Sequence, residues 1–360
     1  MYASLGIDSL TAPQASVLFA LALGLAFGLL AERTGFCFRR SLVGSDRRTA
    51  TGVWLTALAA AVIGTQAAVA AGWIGFGDHR FMASELPLAA ILLGGALFGA
   101  GMVLTRGCVS RLTVLSGTGN LRALLVLAVF AIVAHATLKG ALTPLRTALG
   151  GVTVPLGDTV SLAALPGGAP LWTGLIVVAA LAVALRSGNG AGRLAMAAAL
   201  GLLVPLGWVG TGFVLFDDFD PVALQSLSFT APSADTLFWV LASTSIPAGF
   251  GAGLVGGVLA GSLLSSLAFR SFRWQSFDSP AQTGRYLAGA ALMGVGGVLA
   301  GGCTVGAGLS GVPTLSVAAL LTLGAIAAGG LAMNAALPRL TPAGRGSAGS
   351  PTTRQPQLAE

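Results

Sequence analysis

Gly94-Gly95-Ala96-Leu97-Phe98-Gly99-Ala100-Gly101-Met102-Val103-Leu104-Thr105-Arg106-Gly107-Cys108 recurs 195 residues later as Gly289 to Cys303, GAALMGVGGVLAGGC, with nine of fifteen positions identical. Each copy is followed by Leu-Ser-Gly, at 115–117 and 309–311. A duplicated glycine-rich turn ending in cysteine, inside a chain this apolar, points to a pathway through a membrane rather than to a soluble active site.

Of 360 residues, 55% are hydrophobic and 9% charged, and several apolar runs reach the roughly 20 residues needed to cross a bilayer. Fifty-three glycines would weaken soluble helices, whereas small residues favour closely packed membrane helices and irregular backbone at membrane depth. The class is therefore an all-α polytopic membrane protein. No basic residue precedes Arg33, so the charged start of a secretory signal peptide is missing and the first helix is expected to stay in the mature protein. The net charge of +7 does not indicate nucleic acid, because the basic residues fall as singles and pairs between apolar spans.

Apolar runs set against loop signals predict nine crossings, near 15–31, 50–72, 87–104, 120–140, 170–186, 193–213, 245–268, 285–301 and 313–336. With the N-terminus outside, sixteen of the nineteen basic residues fall on the cytoplasmic side, and only Arg80, Lys139 and Arg146 lie outside. That positive-inside bias predicts an N-out, C-in orientation. A second match, Ala20 to Phe36 against Ala197 to Phe213, holds nine of seventeen positions at a shift of 177. Helix one then corresponds to helix six and helix three to helix eight. Five crossings separate each pair, an odd number, so the halves are inverted, as in secondary transporters. The expected organisation is an outer tail 1–14, a first half 15–140, a linking segment 141–192 with helix five, a second half 193–336 and a disordered cytoplasmic tail 337–360. The two shifts differ by 18 residues, which places an insertion in the acidic outer stretch Asp217 to Asp235, read as a solvated connector.

Four segments, about 34–44, 106–118, part of 214–243 and 303–312, are too short to cross and read as re-entrant turns meeting at mid-membrane. They carry all three cysteines, Cys37, Cys108 and Cys303. An odd number with no CxxC pair argues against a disulfide framework or a metal cluster, and no cofactor is expected. Buried cysteine often serves as a small hydrophobe, but packing alone would accept Ala or Ser where Cys108 and Cys303 cap a repeated turn. Cys37 has no thiol partner in the second half: the shift of 177 pairs it with Val214.

Glycine-rich turns can aim backbone N–H groups at an anion, and thiols add weak donors on a soft, polarisable atom. Such a lining matches a soft sulfur or selenium anion better than a hard oxyanion, while each weak contact lets the solute leave. Gly107 and Gly302 belong to these turns, and Ser116, Thr304 and Ser310 are candidate hydroxyl donors. Arg106 and Arg111 flank Cys108 and are the guanidiniums best placed to attract an anion, with Arg39 and Arg40 near Cys37. Positive-inside anchoring accounts for arginines here equally well. His79 reads as a loop residue and His135 as a hydrogen-bonded polar residue inside a helix, since neither has metal-site spacing. No Walker loop, catalytic triad pattern or dinucleotide fingerprint occurs. For proton or sodium coupling only Glu32, at a helix end, offers a carboxylate.

The Arg33-Thr34-Gly35-Phe36-Cys37-Phe38 turn, the Gly107-Cys108 and Gly302-Cys303 turns with their Leu-Ser-Gly sequels, and the two-half layout resemble the YeeE/YedE sulfur-transport family of bacterial inner-membrane proteins. The resemblance covers about residues 15 to 336. It implies an hourglass-like fold of nine crossings with short central helices, and uptake of thiosulfate. It also implies that Cys37, Cys108 and Cys303 pass the ion along by successive S–H to sulfur hydrogen bonds. Members linked to selenium, and partnership with small cytoplasmic sulfur carriers of the TusA type, are further implications of the resemblance. The competing classes are a membrane thiol enzyme transferring sulfur or electrons, with a covalently modified cysteine, and a scaffold subunit without a solute of its own.

Overall fold

A computed structural model describes residues 10–340 apart from positions 218 and 278. Most of the expected outer tail and of the cytoplasmic tail, residues 1–9 and 341–360, lies outside the described residues. Thirteen α-helices are present among those described: α1 (Ala12–Thr34), α2 (Phe38–Val43), α3 (Arg47–Ala70), α4 (Leu88–Leu104), α5 (Val109–Gly117), α6 (Leu121–Lys139), α7 (Thr143–Gly150), α8 (Gly168–Leu185), α9 (Ala191–Val209), α10 (Thr230–Leu241), α11 (Phe250–Ala268), α12 (Pro280–Leu299) and α13 (Val317–Leu340). Nine of them, α1, α3, α4, α6, α8, α9, α11, α12 and α13, supply the spans that are long and apolar enough to cross a membrane. They fall on the nine runs expected. The short helices α2, α5 and α10, and a π-helical turn at Thr304–Gly311, occupy the segments read as too short to cross.

Local chemistry sets the ends of these elements. Thr11 and Gln14 form a reciprocal cap at the start of α1, with Pro13 in the first turn, where its missing N–H costs nothing. At the other end Gly35 adopts φ +65°, a left-handed cap that suits glycine, and the chain turns back toward Cys37. Several hydroxyls within the apolar helices are satisfied by the carbonyl one turn back, as in Thr34 to Leu30, Thr56 to Gly52 and Thr137 to Val133 at 2.7 to 2.8 Å. No lipid-facing hydrogen bond is then required of them.

The repeated glycines have a packing role that their symmetry makes plain. A Cβ on Gly296 would sit 2.6 Å from the Gly94 carbonyl oxygen, and one on Gly289 would sit 2.9 Å from that of Gly101. Under the shift of 195, Gly94 corresponds to Gly289 and Gly101 to Gly296, so the crossing of α4 and α12 is an antiparallel contact of a motif with its own copy. Other contacts repeat in the same way. α1 packs on α11 as α9 packs on α3, α4 on α13 as α12 on α6, and α2 on α3 as α10 on α11. Each is its partner with the halves exchanged, which is the signature of an inverted repeat. Close approach through small residues replaces the hydrophobic drive that lipid cannot supply between helices.

Four readings need correction. The sequence match of the first and sixth crossings ends at Phe213, and the fourth short helix begins only at Thr230. The position that caps it, equivalent to Cys37, is therefore Phe229 and not Val214. The stretch 217–235 is not simply a solvated connector: its last part is the start of α10, where Thr230, Pro232, Ser233 and Ala234 are buried. His135 stacks on Phe238 with ring centroids 4.9 Å apart, and its buried Nδ1 has no hydrogen-bond partner among the described residues. The ring packs as an aromatic surface, and its Nδ1 makes no hydrogen bond there. The start of the expected tail, 337–340, is the last turn of α13.

Candidate transport site

Each cysteine occupies the same local position: the extended residue that caps a short helical segment. Cys37 precedes α2, Cys108 precedes α5, and Cys303 precedes the π-helical turn. A capping side chain lies beside the N–H groups of the first turn, which lack helical partners. The Gly306 N–H donates to Cys303 Sγ at 3.4 Å. The N–H groups of Arg40 and Arg111, three residues beyond Cys37 and Cys108, face those sulfurs in the same manner without completing the cap geometry. A π-helical turn is rare, and its wide winding is aided here by Gly306, Gly308 and Gly311, which pack against Ser228, Leu323 and Ala319.

The three sulfurs converge. The Cys37 and Cys108 thiols interact directly. Cys108 Sγ lies 3.2 Å from Ser110 Oγ and also meets the Thr304 hydroxyl of the opposite half. Cys303 lies within electrostatic range of Cys108, and the N–H groups of Phe229 and Val305 lie near its sulfur beside that of Gly306. All three thiols are free and are at most 2% exposed.

Two cavities flank this cluster. One, of about 650 Å³, is lined by His79, Arg80, Trp208, Gln225, Ser228 and Ser310 among others, and its floor is the Gly306 end of the Cys303 turn. The second, of about 340 Å³, is lined by Cys37 together with Arg39, Arg40, Arg106, Arg111 and Arg122. Both are of the size that holds small ligands. Cys37 lines the smaller cavity, while Cys108 and Cys303 line neither.

The two mouths differ in charge. In the larger one His79 is wedged against Phe76, Phe81 and Trp208, and its Nδ1 accepts the Phe81 N–H at 3.3 Å. Burial, then the neighbouring Arg80 charge, lowers its pKa to about 4, so the imidazole is neutral. The Arg80 side chain is open to the cavity yet lies deep in its recess. Desolvation there draws its pKa below the usual guanidinium value, countered by the nearby Cys303, and it stays protonated. In the smaller mouth Arg40 pairs with Asp46 and donates to the Gly35 carbonyl at 2.9 Å, tying down the turn that presents Cys37. Burial works against the Asp46 charge, but the hydrogen bonds and charge of Arg40 prevail and hold its pKa below the normal carboxylate range. Arg111 sits near Cys37, Cys108 and Glu32, and Glu32 is held by the hydroxyls of Ser265 at 2.8 Å and Ser271 at 3.1 Å.

Of the residues singled out in the sequence, Thr304 meets Cys108, Ser310 lines the larger cavity while donating to the Leu227 carbonyl at 2.7 Å, and Arg106 and Arg111 line the smaller one. Gly107 and Gly302 lie against Leu112 and Ala307 at the turns. Ser116 bonds to the Leu112 carbonyl at 2.8 Å and is not brought to the thiols. Sequence reasoning missed the placement of His79, Arg80, Trp208 and Phe229. The His79-Arg80 pair, basic within an otherwise sparse outer loop, was the available signal.

An apolar helical protein whose two halves exchange the same packing contacts, with three buried thiols near one another beside two cavities, belongs by architecture with transporters. The comparison with known families agrees: the profile of the Sulphur transport family matches residues 33–332, and this chain belongs to that family. It is accordingly a transport protein and not an enzyme. Two relatives, both named Thiosulfate transporter TsuA, align along most of their lengths. That of Spirochaeta thermophila is 24% identical over 335 residues, covering 83% of this chain and 92% of the relative. That of Escherichia coli K12 is 25% identical over 321 residues, covering 81% and 86%.

Proposed function

We propose that this protein takes up thiosulfate or a closely related sulfur anion through a constriction lined by Cys303, Cys108 and Cys37 in that order. What supports this reading is the three buried thiols gathered near one another, with one cavity lined by Cys37 and another lined by Gly306 and Ser310 of the Cys303 turn. Arg80 draws the anion into the larger cavity, and Gly306 and its neighbours in the turn offer N–H groups at the floor. An uncompensated charge in the bilayer costs several kcal/mol or more, so the anion must exchange water for donors at every step. Successive S–H groups do this with weak bonds to the terminal sulfur, and the anion is never held tightly enough to stop. Thr304 serves as a hydroxyl donor along the route, Ser310 can join it only by exchanging its bond to the Leu227 carbonyl, Gly107 and Gly302 let the turns approach the anion, and Arg106 and Arg111 receive it below.

In this reading the halves 15–140 and 193–336 carry the short helices as re-entrant segments. The protein lies in a bacterial inner membrane with its N-terminus periplasmic, its C-terminus cytoplasmic, and the arginine-rich cavity facing the cytoplasm. The relatives' names and the assignment of fourteen of the described arginines to one side support this. A separate TusA-like carrier would take the sulfur onward. Replacing Cys108 by Ala tests the route, because Cys108 touches both Cys37 and the opposite half. Uptake of labelled thiosulfate in cells should fall by at least about tenfold, the worth of one lost charge-assisted contact, with protein in the membrane unchanged. Undiminished uptake would reject the thiol route.

A further inference from the structure

Glu32 and Arg111 belong to the first half alone. The shift of 177 carries Glu32 onto Val209 and the shift of 195 carries Arg111 onto Gly306, so the second half has neither charge there. The elements that hold these positions touch in both halves, α1 with α5 and α9 with the π-helical turn, so the contact itself does not call for a charged pair. A carboxylate is also poorly placed at Glu32. It lies in the last turn of α1, where the helix dipole disfavours negative charge, and it is partly buried. Its oxygens are held by the hydroxyls of Ser265 at 2.8 Å and Ser271 at 3.1 Å. Arg111 donates to the carbonyl of the preceding residue, Ala31, at 3.5 Å, which keeps its guanidinium within electrostatic range of the carboxylate and of the Cys37 and Cys108 sulfurs. A guanidinium grips an oxyanion far more firmly than thiols do, so Arg111 alone would end a weak-contact route in a trap. A second negative charge at short range loosens that grip by repulsion.

We propose that Glu32 is a positioning residue for release: fixed by Ser265 and Ser271, it acts through Arg111 so that the sulfur anion leaves that guanidinium instead of resting on it. This role rests on the uptake reading above. It assigns the carboxylate to the rate of turnover, and the two serines to keeping it beside the guanidinium without closing on it.

Uptake of labelled thiosulfate by proteoliposomes holding the full-length protein is the test. Glu32→Gln keeps the shape and an acceptor for the serines while removing the charge, and should lower KM and kcat together, each by at least about threefold. Calorimetry on the same purified variant should find thiosulfate bound at least about threefold more tightly. Glu32→Asp retains the charge and should return both kinetic values most of the way to those of the wild type. Ser265→Ala frees one carboxylate oxygen toward Arg111 and should raise KM. A merely structural acid would leave KM of Glu32→Gln unchanged or higher, and that result would overturn the proposal, as would kinetics that Glu32→Asp does not restore. Should Glu32→Gln not survive purification, Ser265→Ala decides, and an unchanged or lower KM there overturns it. Failure of the uptake reading looks different: a wild type that takes up no thiosulfate, or undiminished uptake by Cys108→Ala, removes that reading and this role with it. Transport that needs Cys108 but is indifferent to Glu32→Gln removes the role of Glu32 alone.

Discussion

Thr105-Arg106-Gly107-Cys108 and Ala300-Gly301-Gly302-Cys303 end equivalent helices with nearly the same backbone, φ +58° at Arg106 and +73° at Gly301. The second copy uses the residue that this left-handed conformation suits. The first places an arginine there, at a cost of about 1 kcal/mol. Beyond the turn the copies diverge again. Cys108 caps an α-helix and has Cys37 beside it, whereas Cys303 caps a π-helical turn and has the buried Phe229, packed on Phe27 at 5.4 Å, at the position equivalent to Cys37. A symmetric scaffold thus carries asymmetric chemistry, with Cys37 and five arginines lining one cavity and aromatic rings with the guanidinium of Arg80 lining the other.

The scaffold half of this comparison breaks most easily at its axis. Gly296→Leu would force a Cβ to within 2.6 Å of the Gly94 carbonyl, where backbone, not a flexible side chain, must yield. Destabilisation of at least about 3 kcal/mol is expected, the upper end for overpacking. It would appear as loss of a monodisperse peak in detergent. Gly284, which has open space around it, should tolerate the same change. Equal behaviour of the two variants would undo the argument that close packing selects the repeated glycines.

How much of this was legible beforehand follows from the same residues. Nine crossings, the cysteine turns and the inverted relation could be read because hydropathy and self-similarity are properties of the chain itself. The pairing of Gly94 with Gly296 was hidden, since a repeat shows which residues correspond but not which ones touch. Phe229 was missed for a related reason: the insertion after Phe213 shifts the register, and a constant offset points to Val214. The larger mouth was the least legible part. Arg80 and Trp208 are 128 positions apart in sequence and meet only through folding, and a lone loop arginine looks like any other surface charge.

Arg106 separates strain from function. Arg106→Gly should raise thermal stability by about 1 kcal/mol, a few degrees in melting temperature, because glycine relieves the left-handed strain. Uptake should fall modestly, by about two- to fivefold, as one guanidinium leaves the smaller mouth. The reciprocal Gly301→Arg should lose stability. If Arg106→Gly gains stability and keeps full uptake, the arginine serves topology alone and the asymmetry of the turns has no bearing on transport.

The smallest effect concerns pH at the larger mouth. The His79 pKa is lowered from 6.5 to about 4 because burial among Phe76, Phe81 and Trp208 disfavours the imidazolium, and Arg80 repels it. The unfolded chain binds its proton near pH 6.5 and the folded one only near 4, so between those values the unfolded state holds more protons. Stability from neutral His79 is complete above pH 6.5 and is lost as pH falls toward about 4; it is worth at most about 3 kcal/mol. Over pH 6.5 to 8 the charge near Cys303 is then that of Arg80, which stays protonated. Uptake should be flat in that range, and His79→Phe should keep it flat with at most about a twofold loss from repacking. Nitrogen NMR of labelled histidine should find one ring titrating near pH 4. A titration near 6.5 that tracks uptake would instead make the imidazolium part of the anion's reception, and the larger mouth would no longer be the less charged of the two.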